Sequence, residues 1–277
     1  MTAAPAAYDV AYASPMILDR FRLDGKVAIV TGAGRGIGAG IALAFAEAGA
    51  DVALGARTLG EVEAVAQRIR ALGRRAIALP CDVMERPQLE ALVESTARDL
   101  GQIDLVVNNA GGAPWKPFLR TSEREFEEAY RFNVTSAFLL SRLAVPHMLK
   151  RGSGAIVNVS SAMGRVTDRG FSAYGAAKAG LSHLTRLLAN ELAPKIRVNA
   201  LAVGAVETSA LAPFLKAEGM REKMESLTPL GRIGQVEDIA AAALWLCSDA
   251  GAWVTGKVVE VDGGQETSNF PMRLPDL

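Results

Sequence analysis

The sequence predicts an α/β fold: a doubly wound parallel sheet of about seven strands in a single domain. Two observations carry that expectation. Short β-branched, apolar runs alternate with segments of three-to-four-residue periodicity from Val27 to about Asp262. Those runs are also continuously apolar, as strands covered on both faces must be. Parallel neighbours need a crossover between them, and the periodic segments supply it as helices.

Taken in order, the strand-like runs fall at 27–31, 51–55, 76–80, 105–107, 155–160, 197–202 and 258–261. The helical segments between them fall at 37–48, 61–72, 88–100, 123–149, 172–192 and 236–246. No repeat, linker or composition break interrupts the alternation, so residues 23–277 read as one domain. Residues 1–22 read as a loose N-terminal tail; its opening is rich in small residues and has neither the basic start nor the apolar run of a signal peptide.

Composition narrows the function. With 277 residues, half of them hydrophobic, the chain buries a large core. Thirty basic residues balance thirty acidic ones, which leaves no electrostatic footprint for nucleic acid or an anionic membrane surface. No apolar run reaches transmembrane length. Two cysteines, Cys81 and Cys247, make no disulfide framework and lack metal-site spacing, which points to the reducing cytoplasm. The histidines His147 and His183 have no ligand-spaced partners, so no metal is expected.

The first strand runs into Thr31-Gly32-Ala33-Gly34-Arg35-Gly36-Ile37-Gly38, and a helix follows at once. Glycines there let backbone N–H groups approach a pyrophosphate, which a helix N-terminus also favours. Further along come Asn108-Asn109-Ala110-Gly111, then Asn133, the Ser160-Ser161 pair, Tyr174-Gly175-Ala176-Ala177-Lys178, and a Val203-Gly204 turn leading to Thr208. In this order and spacing the set resembles the short-chain dehydrogenase/reductase family, whose fold is Rossmann-like, over about residues 23–264.

The resemblance implies catalytic roles for Asn133, Ser161, Tyr174 and Lys178. Tyr174 and Lys178 share a helix face one turn apart. A tyrosine titrates near pH 10, and a neighbouring ammonium is expected to draw that value down toward neutrality. Tyr174 is then the proton donor or acceptor, with Lys178 its tuner and a partner of the nicotinamide ribose. Ser161, thirteen residues before the tyrosine, is expected to hold the substrate oxygen. Ser160 is its structural neighbour. Asn133 resembles the residue that supports a water leading to the lysine, although a helix-embedded asparagine also bonds its local backbone.

The same resemblance assigns the cofactor to Gly32, Arg35, Gly36, Ile37, Gly38, Arg57, Asp82, Val83, Asn109, Gly111, Tyr174, Lys178, Val206 and Thr208. Where NAD sites place an acid after the second strand, this chain has Ala56 and then Arg57. Two arginines without a carboxylate suit a 2′-phosphate, so NADP is expected ahead of NAD. Val203 replaces the family's usual proline, which loosens the expected placement of Thr208. The variable segments 112–118, 162–171 and 205–227 supply Trp115, Met163, Val166, Phe171, Val206, Leu211, Phe214 and Leu215. That lining suits a hydrophobic secondary alcohol or ketone, steroid-, terpenoid- or acyl-like.

Other readings of the same motifs are a catalytically silent dinucleotide sensor and an NAD-dependent epimerase or dehydratase. The complete catalytic set disfavours the first, and the short segment after the last strand disfavours the second. Apolar residues beyond one face of 123–149 and 172–192, with the family's habit of pairing there and at the last strand, predict a homotetramer, with a dimer as the smaller alternative.

Overall fold

Every strand of the sheet runs parallel, in the order β3-β2-β1-β4-β5-β6-β7. The structure is a computed structural model that describes residues 16–272 and 274. The strands are β1 (Val27–Thr31), β2 (Asp51–Ala56), β3 (Ala76–Pro80), β4 (Leu105–Asn108), β5 (Gly154–Ser161), β6 (Ile196–Val203) and β7 (Val258–Val261). The first half of the chain builds outward from β1 to β3, and the second builds the other way from β4. Between β1 and β4 the direction of winding reverses, and the crevice above the carboxyl ends of those strands is where such sheets take ligands.

Helices cover both faces. On one lie α1 (Gly36–Glu47), α2 (Leu59–Ala71) and α9 (Val236–Cys247), whose Ile41, Phe45, Val62, Ile69 and Leu246 share one core with Val30, Leu54, Val157 and Leu201 of the sheet. On the other lie α3 (Arg86–Asp99), α5 (Ser136–Arg151) and α6 (Ser172–Leu192), with Leu89, Leu92, Leu140 and Met148 against Ile29, Val106 and Ile156. All of β1 is buried, whereas β3 and β7 at the sheet edges are partly exposed, so the expectation of strands buried on both faces holds only for the centre.

Two local differences from the expected elements have physical causes. The segment 123–149 is not one uninterrupted α-helix: α4 (Glu123–Tyr130) passes through a π turn (Arg131–Thr135) into α5. Within that turn the Asn133 amide donates to Ala129 O at 2.8 Å, a side chain competing for a backbone acceptor. In the N-terminal tail, Ile17–Phe21 forms a 3₁₀ turn tied down by Arg20 donating to Asp249 O, and Leu23 is buried. Residues 1–15 of the expected tail lie outside the described residues. Short helices α7 (Ala212–Leu215) and α8 (Met220–Ser226) sit between β6 and α9. No helix of the described residues is long and apolar enough to cross a membrane.

Candidate active site

A cleft of about 500 Å³ opens above the carboxyl ends of the strands. Its floor is the turn after β1, where Gly32 and Gly36 take φ values of +62° and +56° that side-chain-bearing residues rarely adopt. Gly38 does not line the cleft. A Cβ there would stand 2.3 Å from Gly32 O, so this glycine allows α1 to seat against the turn. Asn109 locks the turn from behind, its amide donating to Thr31 O at 2.9 Å and Gly32 O at 3.2 Å.

The rest of the wall gathers most residues expected to hold the cofactor: Arg35, Ile37, Arg57, Asp82, Val83, Gly111, Val206 and Thr208. Thr208 lies against Gly36, 3.3 Å from where a Cβ would stand. The missing proline at Val203 is offset by a β-bridge between Val206 and Gly234, with Gly234 N donating to Ala205 O and Glu207 N to Gly234 O. The glycine after it is required in its own right, because a Cβ on Gly204 would meet Asp262 Cα at 2.7 Å.

At the other end of the cleft stand Tyr174 and Lys178, on the first turns of α6. The Lys178 ammonium is buried; it donates to Val159 O at 2.8 Å and lies 5.6 Å from the Tyr174 ring centroid. Burial pulls its pKa down to about 8. Tyr174 departs from the sequence expectation. Burial pushes its pKa up, and a hydrogen bond to Ser161 opposes that. The ammonium lies over the Tyr174 ring while donating to Val159 O.

The two serines have different partners, and the cleft lining takes in Ser160 but not Ser161. Ser160 Oγ donates to Lys178 O at 3.0 Å and pairs with Ser182 Oγ, fixing α6 on β5. Ser161 Oγ accepts from Met163 N at 3.2 Å and faces Tyr174. Asn133 is buried beside Lys178: a Cβ on Gly111 would lie 2.6 Å from Asn133 Oδ1 and 2.9 Å from Lys178 Nζ. Its amide also clamps Gly112, accepting from Gly112 N at 2.9 Å and donating to Gly112 O at 2.8 Å. Of the two roles weighed from sequence, the hydrogen bonds show the local backbone one, and Asn133 lies behind the cleft and not in its lining.

Several positions in and around the cleft escaped the sequence reading. Glu61, in the first turn of α2, and Cys81 line the cleft; burial raises the Cys81 thiol to about 11, so it is inert. A buried chain runs from Asn108 through Asn158 to Thr185 at 2.8 and 2.9 Å and keys α6 to the sheet. Above Tyr174 the rings of Trp115, Phe171 and Phe214 each meet Phe270 edge-on, with centroids 5.5–5.8 Å apart. Phe270 lies in the C-terminal segment, which Asn269 fastens to Thr228, Ser268 to Asp168, and Arg165 to Gln265 O. Only the fold could bring it there.

Comparison with known proteins agrees with this geometry. Residues 32–266 match the family model described as enoyl-(acyl carrier protein) reductase. An uncharacterized oxidoreductase of Mycobacterium tuberculosis is 50% identical, covering 95% of this chain and 100% of that protein. The 7α-hydroxysteroid dehydrogenase of Escherichia coli is 43% identical over 89% of this chain and 96% of its own. Among solved structures, a 7α-hydroxysteroid dehydrogenase complexed with NADH and 7-oxo glycochenodeoxycholic acid superposes with a TM-score of 0.87 at 42% identity, covering 90% of this chain and 97% of that one. A gluconate 5-dehydrogenase from Burkholderia cenocepacia, in complex with NADP and tartrate, gives 0.85 at 34% identity, over 90% and 98%.

Proposed function

The chain belongs to the short-chain dehydrogenase/reductase family and is an NAD(P)-dependent oxidoreductase, and from that premise we propose that it interconverts a bulky, hydrophobic secondary alcohol and its ketone. The observation that carries the reading is the placement of Tyr174 between Ser161 and Lys178 at the foot of an aromatic wall. The cofactor, when bound, supplies or accepts the hydride. In ketone reduction Tyr174 donates its phenolic proton to the substrate oxygen while Ser161 Oγ–H donates to the same oxygen and stabilises the charge growing there. In alcohol oxidation Tyr174 takes the proton back. Lys178 and the Gly111 backbone border the ribose end of the same cleft.

Trp115, Phe171, Phe214 and Phe270 pack into an apolar ring cluster beside Tyr174, which supports a steroid- or terpenoid-like ring system or an acyl chain as substrate. The oxo-steroid acid in the solved relative supports the first of these. We further propose a cytoplasmic homotetramer; the buried free thiols of Cys81 and Cys247 support the compartment.

The test is Tyr174→Phe, which keeps the ring and removes the proton. Turnover of a panel of hydroxysteroids and alicyclic ketones, followed by nicotinamide absorbance, should fall by about a hundredfold or more, with cofactor affinity unchanged within a few fold. A variant keeping over a tenth of wild-type turnover would show that Tyr174 is not the acid–base.

A further inference from the structure

The cofactor end of the cleft holds a carboxylate that its arginines alone do not suggest. Glu61 is pressed against the glycine turn: a Cβ on Gly34 would lie 2.8 Å from Glu61 Cβ, 3.0 Å from its Oε2, and 3.7 Å from Ala56 Cβ. Glu61 Oε1 accepts from the Arg35 guanidinium at 3.0 Å, and both side chains line the cleft together with Ala56, Arg57 and Thr58. An acid after the second strand normally accepts from the ribose 2′-hydroxyl of NAD. That acid is missing at Ala56, and a carboxylate reaches the cleft from the first turn of the following helix.

We propose that Glu61 is the residue that sets the choice between NAD(H) and NADP(H). With NAD, its carboxylate accepts the ribose 2′-hydroxyl while still holding Arg35. With NADP, Arg35 and Arg57 attract the 2′-phosphate, but Arg35 must give up Glu61 and the phosphate must settle beside a carboxylate of like charge. The wild-type site is therefore dual, and neither arginine reaches its full worth for phosphate. The proposal rests on the nicotinamide-cofactor reading above. An acid in the first turn also favours the helix dipole, but that role does not distinguish one nucleotide from the other.

The measurement is calorimetric affinity for two fragments that carry no nicotinamide, ADP and 2′,5′-ADP. Wild type should bind both. Glu61→Gln should weaken ADP and tighten 2′,5′-ADP, moving their affinity ratio by about tenfold, the discounted value of a charge-assisted contact at a partly exposed site. Glu61→Asp, which restores the charge, should return most of the ratio. Glu63→Gln, which breaks a pair with Arg70 outside the cleft, should leave it alone. A ratio unchanged within twofold in Glu61→Gln overturns the role of Glu61 and leaves the cofactor reading standing. A wild-type protein that binds neither fragment overturns the cofactor reading itself, and the proposal with it.

Discussion

Lys178 carries an ammonium into a site that gives it one carbonyl, Val159 O, and no carboxylate. Desolvation lowers its pKa from 10.5 to about 8. Below about pH 8 the folded and unfolded chains both bind that proton, so the full cost of burying the charge is present. Between about 8 and 10.5 only the unfolded chain keeps it, and stability therefore rises with pH. A depression of that size withholds roughly 3 kcal/mol at neutral pH. Lys178→Met keeps the apolar stem and loses the charge, at the cost of leaving Val159 O unpaired, about 1–2 kcal/mol. The variant should be inactive yet more stable than wild type by about 1–2 kcal/mol at pH 7; as pH rises from about 8 toward 10.5 that lead should vanish and then reverse, leaving the variant less stable by about 1–2 kcal/mol because Val159 O stays unpaired. Denaturant titrations at pH 7 and pH 10 check this; a wild-type protein more stable than the variant at pH 7 contradicts it.

Among the elements, the π turn Arg131–Thr135 shows how much of the site depends on one departure from regular geometry. Asn133 makes three hydrogen bonds from it, two of them to the backbone of Gly112 beside Lys178. Asn133→Ala removes all three and should cost about 2–3 kcal/mol of stability. With Gly112 released, both cofactor affinity and turnover should fall together. Thermal melts and fluorescence titration read the two effects, and an unchanged cofactor affinity would mean that the clamp does not shape the cleft. The turn was not legible in the sequence, because 123–149 has unbroken helical periodicity and a single extra residue per turn leaves no trace in it. Strands and helices were legible because each central run is apolar throughout, and β1, buried along its whole length, shows why. Glycine motifs with fixed φ and the Tyr174–Lys178 spacing were legible for the same local reason. Glu61, Phe270 and the Asn108–Asn158–Thr185 chain were not, since each acquires its meaning from partners far away in sequence. The carboxylate beside Arg35 was illegible for that reason too, because Glu61 reaches the cleft from α2 and not from the end of β2.

At the scale of the whole molecule, apolar surface remains after the two cores are built. Phe126, Tyr130, Phe138 and Leu187 stay exposed on α4, α5 and α6, where Tyr130 nestles on Gly180. Trp253, just before β7, is 100% exposed. The first four lie on helices over one face of the sheet, and Trp253 stands apart from them near the β7 edge; we propose that each marks an interface. Large aromatic side chains are what the centres of protein interfaces use. Two different self-complementary patches on one subunit close into a dihedral tetramer, whereas a single patch gives only a dimer. Light scattering at micromolar concentration should therefore give about four times the 29.2 kDa chain mass. Trp253→Arg should split the tetramer into dimers joined through the helices, and Leu187→Asp into dimers joined at the β7 edge. Combining both changes should yield monomers. A wild-type mass near that of one chain would refute the assembly, and a dimer that Trp253→Arg leaves intact would assign it to the helical patch alone.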